Sequence, residues 1–320
     1  MNDWTETTRT LPATPQGIAE AADILRAGRL VALPTETVYG LAGDARNPQA
    51  VARIFAAKGR PAHNPLIVHL ASVEDARALA DLPDGALRLA QAFWPGPLTL
   101  VAPLRAGHGL ADAVTAGLPT VALRLPAHPV ARALLESFGG PVAAPSANPS
   151  GRISPTTPAH VLAGLNGRIG AVLDGGACAV GLESSIVGFD GPRAVLLREG
   201  GVSREALEAA LGHTLGRDTG EAITAPGQMA SHYAPRAALR LNVTAPEEGE
   251  VWIGFGPGSA GADFTLSTAG DLDEAAARLF AVLHQADALG CPIGVAPIPE
   301  TGLGGAINDR LRRAAAPRAD

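Results

Sequence analysis

The sequence predicts an α/β protein built from two unequal units. Short apolar strands alternate with helices of 3.6-residue periodicity through the first two thirds of the chain. A polar, turn-rich stretch without periodicity interrupts them at 213–238, and a smaller strand–helix–strand–helix pattern follows it. The chain has 320 residues, 47% of them hydrophobic, which is too long for one typical domain and about right for two. The expected division is a first domain over 1–212, a linker over 213–238 and a second domain over 239–320. Aperiodic stretches of that length are uncommon inside a compact domain and are often lids.

The elements follow in order. Thr14-Pro15 has the cap and first-turn sequence that opens a helix, and Gly28 closes it. RLVALP (29–34) reads as a short buried strand. Asn47-Pro48 opens a second helix, in which Val51, Ile54 and Phe55 keep i, i+3, i+4 spacing, and it ends at Lys58-Gly59. LIVHL (66–70) is a strand, followed by helices near 72–80 and 84–93. LTLVAP (98–103), TVALRLP (120–126) and PVAAPS (141–146) are strands, with a helix near 128–137 before the last. AVLD (171–174), SIVGF (185–189) and AVLLR (194–198) are further strands, and a helix covers 203–211. In the second unit, VWIGFG (251–256) and CPIGVAPI (291–298) are strands around a helix at 271–290. A last helix lies near 303–314, and no internal repeat is found.

Composition excludes several classes. No apolar run reaches about 18 residues, so no membrane span is expected. The opening MNDWTETTRT lacks a basic start and an apolar core, so no secretory signal is expected. Cys178 and Cys291 form no CxxC pair, which rules out a disulfide scaffold or a Cys-rich zinc site and fits a cytoplasmic protein. Of 25 basic residues only Lys58 is a lysine, and Gly59-Arg60 follows it where a P-loop needs Ser or Thr. Residues 1–205 carry 17 acidic and 17 basic side chains, net 0, whereas 206–320 carry 14 and 8, net −6. The acidic half is a poor nucleic-acid platform.

Six segments could carry chemistry. PTETVYG (34–40) places Thr35, Glu36, Thr37 and Tyr39 after a buried strand, where open α/β sheets bind ligands; the plainer reading is a polar turn. KGRPAHNPLIVH (58–69) sets Lys58 and Arg60 at a helix end, a pair suited to phosphate oxygens, with Asn64 and His69 following. Complementing the helix dipole would need only one of those cations. WPGPLT (94–99) reads as a rigid turn. Arg124 stands in an otherwise apolar strand and demands an anion, either a substrate carboxylate or an internal salt bridge. APSANPSGRISP (144–155) offers backbone N–H groups and hydroxyls to phosphates. GLESSIVGF (181–189) and LLREGG (196–201) bring a serine pair and Arg198 to strand ends. GxSxG is absent, which discounts a hydrolase. GFGPGSAG (254–261) imitates a dinucleotide fingerprint but leads to another strand and not to a helix.

PTETVYGL, KGRPxxNPLIVH, PGPLT, LRLP, PSANPSG and ESSIV, in this order and on these elements, resemble the YrdC-type threonylcarbamoyl-AMP synthase family over roughly 15–210. The tail, with GQMASHYAP (227–235), resembles its longer two-domain form. One departure is Gly188, where the family often has Asp; Asp190 is nearby and is given no role. The resemblance implies a twisted mixed-sheet YrdC-like domain followed by a small Rossmann-like α/β domain. It implies a nucleotidyltransferase that joins L-threonine, bicarbonate or CO2, and ATP into threonylcarbamoyl-AMP and pyrophosphate. The product would pass to a tRNA threonylcarbamoyl transferase for N6-threonylcarbamoylation of adenosine 37. Carried over motif by motif, Thr35, His69, Arg124, Ala144 and Ser184 would hold threonine. Lys58, Arg60, Asn64, Thr120, Ser146, Ser154 and Arg198 would hold ATP, with Tyr233 closing over it. Mg2+ is expected on the triphosphate, with no acidic cluster to mark a protein-built metal site.

Two other classes compete. An RNA-binding regulatory module would show a steep salt dependence of tRNA affinity, and the acidic second half counts against it. A Lys58 Schiff-base enzyme would need a desolvated lysine, whereas the neighbours Gly59 and Arg60 predict an exposed turn.

Overall fold

The computed structural model describes residues 7–61, 63–191, 193–217 and 232–317. The first domain runs β1 (Arg9–Pro12), α1 (Pro15–Arg26), β2 (Val31–Leu33), β3 (Gly40–Asp44), α2 (Pro48–Lys58), β4 (Ile67–His69), α3 (Val73–Leu79), α4 (Asp84–Phe93) and β5 (Leu98–Pro103). It continues with β6 (Thr120–Arg124), α5 (Pro129–Phe138), β7 (Val142–Ala143), α6 (Pro158–Leu165), β8 (Ala171–Asp174), β9 (Ser185–Asp190), β10 (Arg193–Arg198), α7 (Arg204–Leu211) and β11 (Gly216–Arg217). The second holds β12 (Leu239–Leu241), β13 (Val251–Gly254), β14 (Phe264–Thr265), α8 (Leu272–Ala288), β15 (Ile293–Val295) and α9 (Gly304–Ala315).

The predicted helices form where their caps foretell. The Thr14 hydroxyl accepts from Gly17 N ahead of Pro15, and Asn47 caps α2 ahead of Pro48. The eleven strands of the first sheet lie in the order β1-β8-β2-β3-β7-β4-β6-β5-β9-β10-β11. Parallel pairs such as β4–β6 and β5–β9 alternate with antiparallel ones such as β2–β3 and β5–β6, so the sheet is mixed, as the fold reading requires. The second sheet, β12-β15-β13-β14, is entirely parallel. GFGPGSAG leads from β13 into β14, a strand, as its sequence predicts.

Side-chain alternation divides the first sheet into two faces. One buries Ala32, Leu41, Val68 and Leu100 under α2, α4 and α7. The other buries Val31, Leu33, Ala42 and Val142 under α1 and α5. Register carries that second face onward through His69 opposite Arg124 and Ile67 opposite Ala122. Here it meets the second domain: Val38, Ile153 and Leu182 share an apolar cluster with Phe280, Leu283 and Ile307. Gly181, at φ +72°, makes this approach possible, since a Cβ there would stand 2.5 Å from the Ala276 carbonyl on α8. The chain contains no helix, among the described residues, long and apolar enough to cross a membrane.

Residues 218–231, the middle of the predicted linker, lie outside the described residues. Its described ends are ordered by pairing. β11 runs parallel to β10, and Ala234 forms a bridge with Arg152.

Candidate active site

A cleft opens on this sheet face around His69 and Arg124. Its lining includes Thr35, Arg60, His69, Arg124, Ala144, Ser146, Ser184, Arg198 and Tyr233, nine of the thirteen residues singled out from the sequence. Three others, Lys58, Asn64 and Ser154, are buried but do not line it. Thr120 is half-buried opposite Pro103, at the other end of β6 from Arg124, and also stands outside the lining.

The loop between β2 and β3 is folded by a single hydroxyl. Thr35 Oγ1 accepts from the N–H groups of Thr37 and Val38 at 3.2 and 3.3 Å and donates to the Val38 carbonyl at 2.7 Å. Tyr39 N donates to Pro155 O and Ala147 N to Tyr39 O, which stitches this loop to the 144–155 segment. The polar turn is therefore a wall of the cleft.

Arg124 makes the internal salt bridge: Nη2 donates to Glu36 Oε1 at 2.6 Å and Nε to the Gly96 carbonyl at 3.3 Å. The WPGPLT turn thus braces the arginine, a role its sequence alone did not predict. Glu36 also accepts from Ala127 N and His128 N. Burial alone would raise the Glu36 carboxyl, but Arg124 and the N–H groups of Glu36 and Ala127 outweigh it and hold the group charged. Facing Arg124 across the ladder, His69 is pushed down to about 3, first by burial and then by that arginine. It is a neutral imidazole at physiological pH, and its Nδ1 has no hydrogen-bond partner among the described residues. Such an atom is open to a ligand in the cleft.

Farther along the same sheet, Arg198 donates from Nε and Nη2 to the Ser184 carbonyl at 3.1 and 2.8 Å, and Nη2 also reaches Ser184 Oγ at 3.2 Å. Thr99 Oγ1 shares a 2.7 Å bond with the same hydroxyl. Gly200 permits this fold-back, since a Cβ there would collide with the Glu183 and Ser184 backbone. Arg60 is tied by Nε to the Asn64 carbonyl at 3.3 Å and by Nη2 to the Pro65 carbonyl at 2.9 Å. Three guanidinium groups, of Arg60, Arg124 and Arg198, therefore border one cleft, an arrangement that attracts anions.

The exposed turn predicted at Lys58 is corrected. Lys58 is buried, and its Nζ donates to the carbonyls of Ser146 and Asn148, the latter at 2.5 Å. Burial, then Arg60, pushes its ammonium well below the usual lysine range. The lysine braces the 144–155 segment from behind. Ser154 Oγ donates to Glu183 Oε1 at 2.5 Å. Sequence reasoning gave no role to Glu183 or His232, which also line the cleft. The one signal for them was their place within the quoted ESSIV and HYAP strings. Among the described residues no group of three or more His, Cys, Asp or Glu could hold a metal ion.

An anion-attracting cleft on a mixed sheet, with a second α/β domain packed beside it on Val38, Ile153 and Leu182, defines a two-domain ligand-binding fold. Residues 23–200 match the Sua5, YciO and YrdC family model, described as telomere recombination, and residues 202–316 match the C-terminal domain of threonylcarbamoyl-AMP synthase. The Pyrococcus abyssi threonylcarbamoyl-AMP synthase is 41% identical over 317 residues, 92% of either chain, and that of Bacillus subtilis is 40% identical over 98% of this chain and 97% of its own. The crystal structure of Pyrococcus abyssi Sua5 complexed with L-threonine superposes with a TM-score of 0.87 at 39% identity, covering 96% of this chain and 97% of that one. The chain belongs to the threonylcarbamoyl-AMP synthase family, in its two-domain form.

Proposed function

We propose that this chain condenses L-threonine, bicarbonate or CO2, and ATP into threonylcarbamoyl-AMP and pyrophosphate. The observation that carries the reading is the convergence of Arg60, Arg124 and Arg198 on one cleft beside the neutral His69 and the Ser184 hydroxyl. The solved relative with L-threonine supports the amino-acid half of it.

In this reading the threonine amine attacks CO2, a C–N bond forms and a proton leaves. A carbamate oxygen then attacks the α-phosphorus of ATP. The new P–O bond forms as the bond to the β-phosphate bridge breaks, and pyrophosphate leaves. No side-chain nucleophile is required, so the protein acts by positioning and charge stabilisation. Arg124, already fixed by Glu36 and Gly96, presents its remaining donors to the threonine carboxylate. Thr35, His69, Ala144 and Ser184 surround the rest of the amino acid. Arg60, Ser146 and Arg198 take the phosphates, with Lys58, Asn64, Thr120 and Ser154 as their support. Tyr233 roofs the nucleotide. Mg2+ arrives with ATP as part of the substrate. The product goes to a tRNA threonylcarbamoyl transferase for N6-threonylcarbamoyladenosine at position 37, in the cytoplasm. The test is pyrophosphate release from purified protein, with threonine and bicarbonate omitted in turn. Release that needs both supports the reading, and release that needs neither overturns it.

A further inference from the structure

Arg310 stands on α9, in the second domain, yet it is completely buried. A guanidinium without exposed surface needs matched donors and a compensating charge. Nε donates to Glu183 Oε2 at 2.8 Å, Nη1 to Asp309 Oδ2 at 2.8 Å and Nη2 to the Glu199 carbonyl at 2.8 Å. Two of those partners belong to the first domain, and Glu199 directly follows Arg198 in the cleft wall. The guanidinium carbon also lies 5.2 Å from the centroid of the Tyr233 ring. Gly305, earlier on α9, leaves the room for this approach, since a Cβ there would collide with the Glu199 carboxylate.

Glu183 lines the same cleft as Arg60 and Arg198. Burial alone would raise its carboxyl, but Arg310 first, then Arg198 and Ser154, hold it charged. A charged carboxylate left uncompensated among those arginines would repel phosphates and cancel part of the field that attracts them. Arg310 neutralises it from the second domain, so that the cationic edge stays available to an anion. The same guanidinium lies over the ring of Tyr233.

We propose that Arg310 is a positioning residue for the nucleotide: through Glu183 and Tyr233, the second domain sets both the charge and the roof of the first domain's cleft. This inference rests on the synthase reading above. It explains why a helix near the chain terminus spends a fully buried arginine on a partner 127 residues away.

A charge cycle in the full-length chain tests it. ATP affinity is measured by titration calorimetry and turnover by pyrophosphate release, for wild type, Arg310→Met, Arg310→Lys, Glu183→Gln and the Glu183→Gln/Arg310→Met pair. Arg310→Met is expected to weaken ATP binding at least about tenfold, while Arg310→Lys and the double variant stay within about threefold of wild type, because neither leaves an unpaired buried carboxylate. A double variant that binds ATP as poorly as Arg310→Met overturns the proposal. So does a loss confined to kcat in Arg310→Met with its ATP affinity intact. Should Arg310→Met fail to fold, the double variant alone decides: within about threefold of wild type supports the electrostatic role, and tenfold weaker overturns it. A wild type that binds ATP but releases no pyrophosphate counts against the synthase reading and leaves the binding cycle to judge Arg310.

Discussion

Arg124 is the residue on which the threonine half of the account turns. Its Nε and one Nη2 bond are spent on Gly96 and Glu36, which fixes the plane of the fork before any ligand arrives. Arg124→Ala is expected to raise the KM for threonine by about a hundredfold or more while changing that for ATP by only a few-fold, as loss of a charge-assisted bidentate contact would. Equal rises in both would remove the carboxylate assignment. Histidines set a second expectation. Burial pushes His69 and His232 down to about 3 and His160 down to about 4, from an ordinary 6.5. These rings are neutral in the folded chain at pH values where the unfolded chain protonates them. Unfolding therefore binds protons, and stability is full above pH 6.5 and is lost as pH falls toward 3. The melting temperature should decline steadily over that window. His160 stacks on His284 of α8 with ring centroids 3.9 Å apart, so His160→Gln should flatten part of the decline. A melting temperature flat from pH 7 to 4 would contradict the assignment of neutral buried rings.

At the scale of elements, the predictable pieces were those whose sequence carried its own signal. Helices opened by Thr14-Pro15 and Asn47-Pro48 formed there, and β5, β8 and α4 span the residues their apolar runs marked. β3 (GLAGD) carries no strand signal, having two glycines and no β-branched residue, and its strand form comes from pairing with β2 and β7. β12 and β14, of three and two residues, are too short to show a period. α6 repeats the Thr157-Pro158 cap signal, but its run of eight residues includes Gly164 and is too short to show a clear helical period. The motif strings delivered the cleft walls. They could not deliver which wall touches which, since Arg124 meets Glu36 across 88 positions and Arg310 meets Glu183 across 127. The Lys58 misreading has the same origin: Gly59 indicated a turn, but the segment at 146–148 that buries the lysine is distant in sequence. Removing the α2 cap by Asn47→Ala, which leaves two N–H groups at 2.9 and 3.3 Å without their acceptor, should cost about 1 kcal/mol in a denaturant titration and leave both KM values alone. A changed KM would mean that α2 does more than carry Lys58.

For the whole molecule, the chain beyond residue 212 is part of the site. Tyr233, His232 and Arg310 all come from beyond residue 212, and the apolar cluster of α8 and α9 continues into Val38, Ile153 and Leu182. Deleting 213–320 should therefore abolish most turnover and expose an apolar patch on the first domain, read as weakened nucleotide affinity together with self-association in sedimentation. Full activity in the truncated chain would refute the shared cleft. In the proposed reaction this one cleft joins three substrates into a mixed anhydride. It is tested most directly by supplying 13C-bicarbonate, threonine and ATP to the purified chain and taking a mass spectrum of the nucleotide products. The expected product is an adenylate that carries both threonine and the 13C label; AMP or ADP alone, with no labelled adduct under conditions where ATP is consumed, would rule out the synthase reaction.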